Sequence, residues 1–148
     1  MDTQELESFN IIGIAVRTTN ANGQSGIDIP ALWDRFISEG IADQIPDKVD
    51  RTVYSVYTEY EGDFTKPYTT VLGCNVNSLD IIPEGMKGIV IEKGTYIKRT
   101  ADLDKVYEEW TKIWNADIPR VYTTDFEVYG DKAQNPEGPK VDIFIAVK

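Results

Sequence analysis

The chain has 148 residues, enough for one sizeable hydrophobic core, with 41% hydrophobic and 27% charged residues and a net charge of −10. It has no histidine and one cysteine, Cys74; this excludes Ser–His and Cys–His nucleophiles and an internal disulfide framework, and leaves a transition-metal site only carboxylates and one thiol. The acidic balance opposes any sequence-independent hold on nucleic-acid phosphates, and the apolar runs are strand-sized, too short to span a membrane.

The N-terminal MDTQELESFN is acidic and polar, unlike a secretory signal, and with the single cysteine it predicts a cytoplasmic protein. Residues 9–18, FNIIGIAVRT, read as a buried strand. After a Gly/Asn loop, residues 29–39, IPALWDRFISE, predict a helix with Pro30 in its first turn, Leu32, Trp33 and Phe36 on one face, and Gly40 as a stop. Residues 52–60 and 68–76 predict a hairpin across the turn-rich EGDFTKP.

The second half repeats this order. Residues 88–98 supply one or two short strands broken at Gly94. Residues 103–115 carry Leu103, Val106, Tyr107, Trp110, Ile113 and Trp114 at the α-helical period, and Pro119 follows the helix. Residues 120–129 and 141–147 then predict a second hairpin across GDKAQNPEGP. Gly13 to Gly94 and Trp33 to Trp114 share the same offset of 81 positions, and VYTEYE echoes VYTTDFE, setting Glu59 and Glu61 parallel to Asp125 and Glu127. The expected architecture is therefore α+β: one domain over 1–148, built from duplicated strand–helix–strand–strand units (about 9–76 and 87–148). The units join into one antiparallel sheet with two helices and a central cleft, where a ligand would sit between packed units.

The ordered set IPALWDRF, VYTEYEGDFTKPYTTVLGCNV, IPEGMKGIVIEKGTYIKRT, WTKIWN, YTTDFEVYG and VDIFIAVK resembles the gyrase-inhibitor-like, or AraC-type effector-binding, superfamily, and within it the integron-associated effector-binding branch. The resemblance runs from Phe9 to Lys148. It implies a hydrophobic cleft for bulky, often aromatic and cationic small molecules, with an acidic residue at its floor. The family's floor glutamate matches Glu127, and its cleft aromatics match Trp33, Tyr68, Trp110 and Phe144. Regulators of the superfamily fuse this domain to a DNA-binding module, whereas here almost the whole chain matches the effector domain. Other members are hydrolases of strained electrophiles that use an acid and an aromatic hydroxyl, and others are gyrase-protecting proteins.

Strand alternation puts Thr123, Asp125, Glu127 and Tyr129 on one face of residues 120–129, and Tyr122, Thr124, Phe126 and Val128 on the other. The economical pairing sets Phe126 and Val128 beside Ile143 and Ile145 in the core. Glu127 then shares the second face with Phe144 and Ala146, and Asp125 lies nearer the wet rim. A plain solvent-washed face is the alternative. An aromatic-lined face holding a carboxylate suits a lipophilic cation, through ring area, cation–π attraction and counter-charge. The expected ligand-binding residues are Glu127, Trp33, Tyr68, Trp110, Phe144 and Asp125, with no cofactor and no metal; Trp114 and Cys74 are expected in the core. The leading function is a small-molecule binding protein that serves sensing, transcription regulation or sequestration, without membrane or direct nucleic-acid contact. The alternatives are a hydrolase using Glu127 with Tyr68, and a protein-interaction role through the acidic surface.

Overall fold

Eight strands and three helices make up the computed structural model, which describes residues 3–148. In chain order they are β1 (Thr3–Leu6), β2 (Phe9–Thr18), α1 (Ser25–Ser38), α2 (Ile41–Gln44), β3 (Lys48–Thr58), β4 (Tyr68–Val76), β5 (Lys87–Ile91), β6 (Gly94–Asp102), α3 (Val106–Asn115), β7 (Arg120–Tyr129) and β8 (Lys140–Val147). The fold is α+β, with duplicated units sharing one antiparallel sheet in the order β1-β6-β8-β7-β3-β4-β2-β5. Its midline falls between β3 and β7. The outermost strands are exchanged: β1, which leads into β2, pairs with β6, while β5, which leads into β6, pairs with β2.

Two elements lie outside the sequence expectation. The strand β1 has the polar sequence TQEL and no buried side of its own to announce it, and α2 is a single turn. The helix α1 starts at Ser25, so Pro30 lies inside it rather than in its first turn. Proline has no N–H to donate to the Gly26 carbonyl one turn back, and both residues border the cavity described below. The expected stop holds: Gly40 takes the left-handed conformation, φ 60° and ψ 40°.

The hairpin β7–β8 corrects the pairing expected from sequence. Phe126 pairs with Phe144, Glu127 with Ile143, and Asp125 with Ile145. Directly opposed residues share a face, so Ile143 and Ile145 stand with the two acids, while Phe144 stands with Phe126, their rings stacked 5.0 Å apart. Both faces of the sheet are buried at this point, so hydrophobicity could not choose between the two registers. One face carries the helices: Leu32 and Phe36 of α1 pack with Ile12, Ile14, Leu72 and Cys74, and Trp110 and Ile113 of α3 pack with Tyr57, Ile143 and Ile145. The other face closes on itself around Ile11, Val56, Val71, Ile91, Tyr96 and Phe126.

That closure requires a strongly curled sheet. The strands β2 and β7 are three positions apart in the order, on the order of 14 Å in a flat sheet, yet the Phe9 and Phe126 rings are 5.6 Å apart. Gly13 and Gly73 make the curl possible. They face each other across β2 and β4, and a Cβ on either would lie 2.1 Å from the other strand's carbonyl oxygen, Leu72 O or Ile12 O.

Candidate functional site

The helices α1 and α3 stand side by side over the sheet midline, and the space between them is a cavity of about 240 Å³. Ile29, Pro30 and Trp33 of α1 form one wall, Trp110 and Trp114 of α3 the other, and Tyr57, Tyr68, Glu127 and Tyr129 come from the sheet. Nine of the seventeen lining residues are aromatic, including all three tryptophans of the chain, whereas only Glu127 and Arg120 carry charge. The surface is mainly apolar and aromatic, with one point at which a charge has no counter-ion.

Glu127 is that point. It is buried (3% exposed), and among the described residues only neutral groups hydrogen-bond to its carboxylate. The Trp110 indole Nε1 donates to Oε2 at 2.6 Å, the Tyr57 hydroxyl donates to the same oxygen at 2.8 Å, and the Tyr129 hydroxyl donates to Oε1 at 2.5 Å. Behind them the Ser55 hydroxyl donates to the Tyr57 oxygen at 3.2 Å. Burial raises the Glu127 pKa above the ordinary carboxylate value, against the three hydrogen bonds, which favour the ionised form. Burial, and then the charge of Glu127, push the Tyr57 and Tyr129 hydroxyls well above their usual range, so both stay protonated and act as donors. The donors are themselves fixed by ring packing: Trp33 meets Tyr129 edge-on at 4.8 Å, and Tyr57 meets Trp110 edge-on at 5.4 Å.

Asp125 has a different place from the one expected. It is fully buried rather than at a wet rim, and it is not among the residues lining the cavity. One oxygen accepts from Arg120 Nη2 at 2.7 Å and from the Tyr60 hydroxyl at 2.6 Å; the other accepts from the Ala146 backbone N–H at 2.9 Å. Asp125 therefore cancels the charge of Arg120, and the buried acids and base beside the cavity sum to one negative charge, that of Glu127.

Arg120 escaped the sequence reading for a physical reason. Strict alternation puts positions 120 and 125 on opposite faces. Tyr122 has a positive φ of 57°, and the β7–β8 register shifts between Arg120 and Asp125. This bulge turns Arg120 onto the acids' face, where Tyr122 covers its guanidinium at 4.3 Å from the ring centroid.

Of the remaining expected residues, Trp33, Tyr68 and Trp110 come together with Glu127 around the cavity. The Tyr68 hydroxyl donates to Asn20 Oδ1 at 2.6 Å, not to Glu127, and burial raises its pKa to about 12. Phe144 is on the opposite side of the sheet, stacked on Phe126, and does not reach the cavity. Trp114, expected in the core, lines the cavity mouth, its ring parallel to Phe64 at 5.7 Å. Phe64 comes from the turn EGDFTKP, whose composition gave no sign of a site. Glu59 and Glu61, the apparent echoes of Asp125 and Glu127, lie past the end of β3 and are solvent-exposed, paired with Lys87 and Arg17. Cys74 is buried in the α1 core as expected, with burial raising its thiol pKa to about 11. Among the described residues no group of three or more cysteine, aspartate or glutamate side chains is placed to hold a metal ion, and no helix is long and apolar enough to cross a membrane.

The same architecture occurs in solved structures. An integron cassette protein from the mobile metagenome of Vibrio cholerae is 29% identical and superposes with a TM-score of 0.76, over 99% of this chain and 95% of that one. The structure of SAV2435 bound to tetraphenylphosphonium shares the fold at a TM-score of 0.77 and 19% identity, over 99% of this chain and 93% of that one. In sequence, YobU of Bacillus subtilis (strain 168), a candidate transcriptional regulator, is 29% identical over 97% of this chain and 94% of its own length. Residues 4–147 match the family described as integron-associated effector binding protein. The chain belongs to that effector-binding family.

Proposed function

We propose that this protein binds bulky, amphipathic cations in the cavity between α1 and α3, as a sensor or sequestering protein for such compounds. The observation that carries this reading is Glu127, a buried carboxylate held only by neutral donors at the floor of an aromatic cavity. An anion kept out of water without a counter-ion is unfavourable, and a lipophilic cation supplies the missing charge. The aromatic walls add apolar area and cation–π attraction. Family membership supports small-molecule binding, and SAV2435, a protein of the same fold, binds the cation tetraphenylphosphonium. With a net charge of −10 these residues are ill suited to grip nucleic acid directly, so a role in transcription would take its DNA contact from outside them.

Binding fits the geometry better than turnover. The hydroxyl of Tyr68, which a hydrolase would use with Glu127, donates to Asn20 instead, and both oxygens of Glu127 are already taken by Tyr57, Trp110 and Tyr129. All three tryptophans border the cavity, so intrinsic fluorescence reports occupancy. Titration with tetraphenylphosphonium should give a saturable change, and Glu127→Gln should weaken binding by at least about ten-fold, ~1.4 kcal/mol. No saturable response, or the same affinity in the variant, rules the reading out.

A further inference from the structure

The cavity holds a second polar group that the pairing of Arg120 with Asp125 does not use up. Arg120 is buried, its side chain 4% exposed, and it borders the cavity. Only Nη2 is engaged, by Asp125; among the described residues Nε and Nη1 have no hydrogen-bond partner. Guanidinium donors lie in the plane of the group. The Tyr122 ring covers its face at 4.3 Å, and the Trp110 ring centroid is 5.9 Å away, so the rings leave the in-plane donors unsatisfied. Buried donors of a charged group are costly to leave unmade. Trp110 links the two polar points: its Nε1 donates to Glu127 while its ring stands beside Arg120.

We propose that Arg120 is a second recognition point, at which Nε and Nη1 donate to a neutral oxygen of the bound molecule. This rests on the cation reading above and narrows it: the preferred ligand carries a positive charge for Glu127 and, on another arm, a carbonyl, ether or hydroxyl oxygen for Arg120. A neutral acceptor suits the site better than an anion. Asp125 already balances the guanidinium charge, and a ligand carboxylate would be repelled by both Asp125 and Glu127.

The test compares tetraphenylphosphonium with derivatives bearing one acetyl or methoxy group at each position of a single ring. At least one oxygen-bearing derivative should bind the wild-type protein about ten-fold more tightly than the parent. In a double variant, Arg120→Met with Asp125→Asn, both members of the buried pair are neutral and neither is left as an unmatched charge, and the ratio of derivative to parent affinity should fall to near unity, whatever happens to the parent's own affinity. In the wild-type protein the Arg120 Nε–H nitrogen resonance should shift with the oxygen-bearing derivative and stay in place with the parent, a readout independent of how the variant folds. If the parent binds but no derivative gains, if the gain survives in the double variant, or if the Nε–H signal ignores the oxygen, the proposal is overturned while the cation reading stands. If no phosphonium binds at all, both fall.

Discussion

Glu127 and Asp125 are two residues apart on one strand face, yet they do opposite things. Asp125 is matched by Arg120, so removing one partner leaves an uncompensated buried charge. Arg120→Met alone should cost about 3–5 kcal/mol in urea denaturation, far more than the double variant. Glu127 is unmatched by any cation and held by neutral groups, so Glu127→Gln removes a buried charge while keeping an acceptor for those donors. Burial raises its folded-state pKa above the unfolded value of 4.5, so the folded protein keeps this proton to higher pH than the unfolded chain does. The resulting destabilisation is absent below the ordinary carboxylate pKa and grows as pH rises through the folded-state value. Melting curves from pH 4 to pH 8 should therefore show Glu127→Gln matching or exceeding the wild type increasingly as pH rises, while cation affinity in the wild type increases over the same interval. A variant that is less stable than the wild type at pH 8 would contradict this.

At the scale of elements, the sheet depends on residues that look unfavourable for strands. Glycine in a strand usually weakens it, and β propensity would favour valine at position 13 or 73. Here the facing glycines let β2 and β4 approach at the inside of the curl, and a side chain would run into backbone. Gly13→Val and Gly73→Val should each destabilise by at least about 1–3 kcal/mol, the usual range for overpacking, read as a lower urea midpoint. The same curl marks how far the sequence could be read. The helices α1 and α3, the strands β2 to β8 and the Glu127 face of β7 were legible because period and alternation are local properties. The partner face was not, because Phe126–Val128 and Ile143–Ile145 are equally apolar and only the curvature decides that Phe144 belongs with Phe126. Arg120 was hidden by the bulge at Tyr122, which breaks the alternation that would have located it, and β1 was hidden because an edge strand can form from a polar sequence.

For the whole molecule, the cavity lies on the sheet midline and is walled by helices from both duplicated units. A ligand that bridges the two should stabilise the fold as one body. At a free concentration of about 100 times Kd, tetraphenylphosphonium should add ~2.7 kcal/mol to unfolding, raising the urea midpoint with no change in the slope of the transition. A ligand that tightened only one unit would instead split the transition in two.

The exchange of outer strands also sets an order of events during synthesis. Once residue 91 has left the ribosome, β2, β3, β4 and β5 can already form their ladders around α1. The second set needs β6, α3, β7 and β8, and among the described residues its outer edge on β6 is covered by Thr3–Leu6, which pairs Thr3 with Ile97. Long-range pairing of this kind is slow because the loop must close before any contact rewards it. Thr3–Leu6 are thus made well before β6 yet are among the last described residues to find their place, and until they do, the backbone of β6 is an open edge for another chain to join.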